Sequence, residues 1–471
     1  MSRKPDNEKA IDPGTPLSTL IGSFLQRVRA RGVPRRVREI AKEHLLDGFA
    51  VMLGGAREEA SRRIRAHVAA VGGRREARVI GTALKVPCQM AALANGVQGH
   101  VLDYDDAQRT TVPGRPSGQQ VHPTTPVLAA ALALAEKNRA SGSDLLDAYV
   151  AGVEVACRLG DAVDPHHYMD GFHPTGTLGV FGAAAACSYL LGLHRERIGW
   201  ALGIAGGLSA GLRANRGTMA KALNAGRAAE NGVMAAALAA RGFTASSGVF
   251  EGPMGFFSAA CGDRYDRERL RFGSPWFLRT LGIAIKRYPC AGVMHPMLDA
   301  LLALIERHAV APDAVHRLRV HLHPDAARPL VYERPETGLQ GKFSLPYTAA
   351  AALLDRGITL AHYTDGRVRD SAIRALMPRM ELVEDTGLNP PGGQGAAATV
   401  ELVLADGLRY YEAAPGNPGR RPDRRALEEK FQQCAEHARV GKARGLRRFM
   451  NRLWILESVD SLAPWLRLLR A

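Results

Sequence analysis

The stretch from Gly99 to Pro126, GHVLDYDDAQRTTVPGRPSGQQVHPTTP, concentrates ionisable side chains: Asp103, Asp105 and Asp106 together with His100 and His122. A histidine beside a helix N-terminus can donate or accept a proton, and the helix end itself attracts anions. Ala-rich, helix-like segments flank the stretch, CQMAALANGVQG before it and VLAAALALAEKN after it. A charged loop between apolar helices is costly unless its charges meet solvent, each other or a ligand. A purely structural account is also open, with Asp106 closing one helix and Thr124 or Thr125 capping the next before Pro126.

Further candidates lie downstream. Histidine precedes proline four times, at His122-Pro123, His173-Pro174, His295-Pro296 and His323-Pro324. Proline pushes its predecessor out of the α region, which puts each histidine at a helix start or bend. His323 ends an alternating strand and is set aside. His122, His173 (in GFHPTGTLG) and His295 (in YPCAGVMHP) each precede an apolar helix that can hold them rigidly. Lys221, in ANRGTMAKALNAG, opens a helix that is otherwise apolar or small for two turns, in a chain where lysine is scarce beside arginine. Burial there requires a partner charge. Lys286, with Arg213, Arg216 and Arg287, adds cations suited to carboxylates, although a surface role fits them equally. Tyr347, in KFSLPYTAAAALLD, starts another Ala-rich helix and can serve either a ligand or a core.

These residues need a scaffold, and 471 residues allow two domains. Helical periodicity appears at Leu17, Ile21, Phe24, Leu25 and Val28, and again at Val37, Ile40, Ala41 and Leu45 after Pro34. Segments around 125–138, 144–160, 177–192, 196–212 and 222–240 carry long apolar faces of small residues, which let helices approach closely. The run GIAGGLSAG follows no strand and leads to no GK[ST], so helix packing explains it better than phosphate binding. Val79–Leu84 reads as a short extended piece. Leu318, Val320 and Leu322 alternate in RLRVHLHP, and Thr399–Leu404 and Leu408–Glu412 flank an Asp-Gly turn as a hairpin. Helices are expected near 294–308, 346–356 and 369–378. The expectation is a mainly α protein: an all-α domain over residues 1–282, an α+β domain over 283–415, and residues 416–471 rejoining the first after a Pro- and Gly-rich linker. A disordered tip precedes a helical entry at Ile11–Gly54, and residues 1–14 are polar.

Composition narrows the function classes. The net charge is +16, but the arginines are scattered, aromatic residues make up only 6%, and no nucleic-acid-binding motif accompanies them, so no specific nucleic-acid partner is expected. The six cysteines stand singly, without a CxxC or CxH pair, which leaves zinc and iron–sulfur clusters no local signature and points to buried free thiols. No signal peptide or membrane-spanning run is apparent, so a cytoplasmic protein with no membrane partner is expected.

Taken in order, the motifs resemble the MmgE/PrpD family, whose activities include 2-methylcitrate dehydratase, cis-aconitate decarboxylase and iminodisuccinate epimerase. The matching pieces are GHVLDYDD, HPTTPVLAAALALAE, HPTGTLGVFGAAAA, MAKALNAGRAAENG, KRYPCAGVMH, FSLPYTAAAALLDRGITL and GNPGRRPDRRALEEKF, over roughly residues 15–440. The resemblance implies a large all-α domain from both chain ends plus an α+β lid, a homodimer, and a lyase that acts on a small carboxylic acid without metal or cofactor. By motif it implies Asp103, His122, His173 and Lys221 as catalytic positions. His295 and Tyr347 would meet the substrate from the lid side, with Lys286 as a further substrate-binding candidate. In that scheme Lys221 holds substrate carboxylates, His122 and His173 exchange protons, and Asp103 orients or charges a histidine. Epimerisation of an imino- or amino-dicarboxylate, or acid binding without catalysis, is the alternative. The chain departs from the family pattern at Ala107, where the decarboxylase and the methylcitrate dehydratase carry threonine, and in a longer loop between Asp106 and His122.

Overall fold

The computed structural model describes residues 14–108, 121–273, 275–280, 282–389, 396–415 and 421–470. The polar tip before Gly14 therefore lies outside the described residues, as do the middle of the Asp106–His122 loop and the linker core at 416–420. The described chain is mainly helical, with small sheets.

Helices α1 (Leu17–Arg31), α2 (Arg35–Gly54), α3 (Glu59–Val71), α4 (Cys88–His100), α5 (Thr124–Asn138) and α6 (Gly142–Val163) come first. They are followed by α7 (Gly179–Leu190), α8 (Arg195–Gly207) and α9 (Met219–Ala240). Ser141 starts α6 with a capping box: its hydroxyl accepts from the Asp144 amide while the Asp144 carboxylate accepts from the Ser141 amide. Small residues set the helix spacing. A Cβ on Gly152 would lie 2.6 Å from the Gly182 carbonyl where α6 meets α7, and one on Gly226 would lie 2.6 Å from the Leu93 carbonyl where α9 meets α4. Such contact is open only to glycine, and it lets whole backbones share dispersion contacts. The α4–α9 crossing matters most for the site, since α4 runs into the Asp103 turn and α9 carries Lys221 near its start.

The extended piece expected at Val79–Leu84 is displaced outward. Its strands are Ala77–Arg78 and Lys85–Val86, and Val79–Leu84 is the turn between them, with Gly81 at φ +75°. That left-handed position converts the apolar run into a bend.

A second apolar cluster spans Cys290 to Ala414. It contains α10 (His295–His308), β1 (Val315–Leu322), α11 (Leu345–Asp355), β2 (Met380–Glu384), β3 (Ala396–Leu404) and β4 (Arg409–Pro415). The strand order is β2-β1-β3-β4, parallel at β1–β2 and antiparallel elsewhere. Leu318, Val320 and Leu322 face the core as alternation requires, and a register shift between Val315 and Arg317 brings Val315 to the same side. The expected hairpin closes through the Leu404 amide and the Leu408 carbonyl at 2.9 Å, with Gly407 at φ +90°. Finally α12 (Arg424–His437) and α13 (Ala443–Leu453) return to the first cluster, where Phe431 and Phe449 pack with Phe49 and Trp465. All six cysteines are buried free thiols, and no described helix is long and apolar enough to cross a membrane.

The glycine crossing yields a direct test. Gly226→Val forces side-chain atoms into the α4 backbone and is expected to lower stability by about 1–3 kcal/mol. A lowered urea midpoint would show this, whereas an unchanged midpoint would mean that α4 and α9 separate freely here.

Candidate active site

Helix α4 ends at His100, and the chain turns sharply through Asp103, a non-glycine residue at φ +51°. Aspartate tolerates this left-handed geometry better than most side chains, at some cost in strain. The turn is held from outside by lysines. Lys342 Nζ donates to the Leu102 carbonyl at 2.5 Å, Lys286 Nζ to the Asp103 carbonyl at 2.8 Å and Lys430 Nζ to the Tyr104 carbonyl at 2.8 Å. Three successive carbonyls beyond a helix C-terminus thus receive three ammonium groups, as orphan carbonyls and the helix dipole favour.

The Asp103 carboxylate is shared between two lysines, with Oδ1 2.5 Å from Lys221 Nζ and Oδ2 2.9 Å from Lys286 Nζ. Burial works to raise its pKa, but Lys221 and then Lys286 outweigh burial and hold it well below the usual carboxylate range. Burial also pulls Lys221 below its ordinary value against the attraction of Asp103. Lys342, buried and three residues before the start of α11, is lowered to about 8, chiefly by burial.

Beside this ion cluster lie the histidines. His100 Nδ1 donates to Asp105 Oδ2 at 2.8 Å, and the Thr125 hydroxyl donates to the same oxygen at 2.9 Å. His122 Nδ1 stands 3.5 Å from that oxygen, and its backbone amide donates to Thr175 Oγ1 at 3.1 Å. The His100 ring lies 4.8 Å from that of His122 and 5.4 Å from that of His173, centroid to centroid. The Asn224 amide on α9 donates to His173 Nδ1 at 3.1 Å. Burial holds all three imidazoles well below their ordinary pKa, assisted by neighbouring charge: Lys221 for His100, Lys286 for His122 and Lys221 for His173. They are neutral bases at pH 7 in the free protein.

Asp106 plays a structural part. It accepts from His44 Nδ1 at 2.8 Å, from the Thr124 hydroxyl at 2.6 Å and from the Thr124 amide at 3.3 Å, so it caps the start of α5 across the loop. Asp106 thus serves the following helix, whereas the sequence expectation has it closing the preceding one, and the Thr124 hydroxyl serves as a donor and does not cap.

Of the residues singled out in the sequence, Asp103, Lys221 and Lys286 meet directly, with His122 and His173 alongside. Two placements differ from expectation. Asp103 has both carboxylate oxygens on lysines, and the histidine-orienting contact belongs to Asp105. Tyr347 is fully buried in the second cluster and donates its hydroxyl to the His362 carbonyl, because the Ala-rich face of α11 turns inward. His295 begins α10 with its ring edge-on to Tyr288 at 5.2 Å. Sequence reasoning missed Lys342 and the role of His100. Scarcity was the available signal: the chain has ten lysines, and Lys42, Lys286, Lys342 and Lys430 are buried.

A small recess opens on this cluster, lined by His100, Asp103, Thr218, Lys221, Lys342 and Phe343. Among the described residues, the grouping whose donor atoms lie close enough together for a metal ion is His100, Asp105 and His122. Asp105 Oδ2 already accepts from His100 and Thr125, so this set reads as a hydrogen-bonded network.

The sequence is matched by known proteins. The family model for the MmgE/PrpD N-terminal domain matches residues 19–268, and that for the MmgE/PrpD C-terminal domain matches residues 288–454. Cis-aconitate decarboxylase of Homo sapiens is 31% identical over 363 residues, covering 75% of this chain and 73% of the relative. The Mus musculus protein of that name is 29% identical over 337 residues, 70% and 67% of the two chains. The Aspergillus terreus one is 27% identical over 407 residues, 81% of each.

Asp103→Asn leaves Lys221 and Lys286 without their shared counter-charge and is expected to lower stability at pH 7 by about 3–5 kcal/mol. A depressed carboxylate pKa stabilises the fold above the unfolded value and loses that contribution as pH falls through the folded one. The unaltered protein should therefore lose stability on acidification below about pH 4, a component that Asp103→Asn lacks. Urea midpoints from pH 3 to 7 check both expectations.

Proposed function

The chain belongs to the MmgE/PrpD family, and from that premise we propose that it is a lyase of a small di- or tricarboxylic acid, acting by proton transfer at a carbon next to a carboxylate. The observation that carries this reading is the gathering of Lys221, Lys286 and Lys342 around one aspartate, with neutral histidines at its side. Such a site has more cations than it needs for its own carboxylate, and a substrate carrying several carboxylates supplies the missing charge.

The chemistry follows from what these groups do. Ammonium groups on the substrate carboxylates stabilise the charge that accumulates as the electron pair of a breaking C–H or C–C bond moves toward a carboxylate. A neutral imidazole accepts the proton, or an imidazolium delivers one to carbon. The names of the relatives favour loss of CO2 from a cis-aconitate-like acid, with dehydration of a 2-methylcitrate-like acid using the same groups. Three neutral imidazoles in ring contact beside one recess also suit epimerisation of an imino- or amino-dicarboxylate, in which a proton leaves one face and returns to the other.

Incubation in deuterated water with cis-aconitate, 2-methylcitrate, citrate, itaconate and aspartate-derived acids, followed by proton NMR, tests the proposal. A new alkene signal, or deuterium at carbon beside a carboxylate, is the expected result. Silence across the panel from folded protein would overturn it.

A second expectation concerns pH. Lys342 is charged below about pH 8 and neutral above it, so KM for a polycarboxylate should rise by about tenfold or more as pH passes upward through that value, in keeping with loss of a charged hydrogen bond. Lys342→Met should give a high KM that no longer changes there. A flat KM in the unaltered protein would remove Lys342 from substrate binding.

A further inference from the structure

His100 combines three properties not found together in the other histidines of the site. It lines the recess beside Asp103, Lys221 and Lys342. Its Nδ1 donates to Asp105 at 2.8 Å, and the Thr125 hydroxyl steadies the same carboxylate oxygen, so the ring's tautomer is set with the lone pair on Nε2. That Nε2 is buried and has no hydrogen-bond partner among the described residues. A buried acceptor without a partner costs free energy, and a native protein keeps one where a ligand or a reacting proton will meet it. By contrast, His173 has its Nδ1 occupied by Asn224, and His122 stands farther from Asp105, at 3.5 Å.

We propose that His100, oriented by Asp105, is a catalytic residue that exchanges the proton with substrate carbon through Nε2. The inference rests on the lyase reading above and deepens it by naming the proton carrier. In exchange, the C–H bond next to a substrate carboxylate breaks, an N–H bond forms at Nε2, and the electron pair passes into the carboxylate. The imidazolium so formed lies against the Asp105 carboxylate. Return of the proton to carbon restores the neutral ring. In CO2 loss the neutral ring first takes a proton from water, favoured once substrate carboxylates lie beside it. The C–C bond then breaks, its electron pair stays on the substrate, and Nε2–H gives its proton to that carbon, which leaves the ring neutral again.

The test compares the unaltered protein with His100→Asn, in which the Asn amide can keep the donor to Asp105 but offers nothing at the Nε2 position. With the acid that the unaltered protein accepts, deuterium exchange at carbon and kcat should each fall about 100-fold or more, as for loss of a general acid–base group. KM should stay close to that of the unaltered protein, which a merely structural role would not preserve. If the first variant does not fold, His100→Gln, whose amide fills the Nε2 position but is no base there, gives the same expected losses. Exchange and kcat retained in either folded variant overturn the inference and leave the lyase reading intact, and so does a change confined to KM. Silence of the unaltered protein toward every acid overturns both.

Discussion

The site depends on one constraint: a helix ends in a turn whose carbonyls are claimed by cations. Leu102, Asp103 and Tyr104 present successive carbonyl oxygens, and each accepts from a lysine of a different segment. Lys342 comes from the second apolar cluster, Lys286 from the chain leading into it, and Lys430 from α12 near the C-terminus. Lys430 is itself anchored by Asp47 at 2.5 Å and by the Lys286 carbonyl at 2.9 Å. Three distant parts of the chain are thereby registered on one turn. An isolated ammonium in this interior would be far too costly, so the lysines are tolerated because carbonyl dipoles and carboxylates face them.

The same constraint sets the electrostatics of the recess. Lysines pinned by backbone oxygens cannot swing away to solvent, so their charge stays where a substrate carboxylate would need it. Preorganised charge of this kind requires no reorganisation at the moment of reaction. The cations also keep neighbouring imidazoles neutral, adding to burial, which is why three histidines can crowd together without mutual repulsion. The aspartates divide the remaining work: Asp103 balances the lysines, Asp105 orients His100, and Asp106 ties the loop to His44 and α5.

Much of this was legible in the sequence. Period-three-to-four apolar spacing located the long helices to within a few residues, and period-two alternation with an Asp-Gly turn located β1 and the β3–β4 hairpin. The Asp/His loop and Lys221 stood out because ionisable residues interrupt apolar helices. What escaped were properties of tertiary assembly. Lys342 sits in an ordinary-looking KFSLPY stretch, and only folding shows its ammonium on the Leu102 carbonyl. Tyr347 starts an apolar helix as expected, yet which face turns inward is decided by the sheet it covers. The parallel β1–β2 pair joins residues about sixty positions apart, beyond any local pattern.

The two departures from the family pattern differ in their structural consequences. The loop between Asp106 and His122 is long, but its ends are joined: the Gln108 amide donates to the Val121 carbonyl at 2.9 Å, and Gln108 Nε2 donates to the Cys157 carbonyl at 2.7 Å. Ala107 and Gln108 also pair with Ala284 and Ile283, two residues before Lys286. A stem closed in this way lets loop length vary without moving Asp106 or His122. Ala107 has no such buffer. It lies in the strand itself, one residue from Asp106, and a methyl there in place of a threonine removes a hydroxyl donor. Sites that hydrogen-bond a substrate discriminate sharply against analogues lacking the partner group, whereas a methyl discriminates weakly. Asp106, His122 and the lysine frame around Asp103 are each held by contacts that do not involve the Ala107 side chain, so that position can differ from the family pattern while the Asp/His/Lys cluster stays in place.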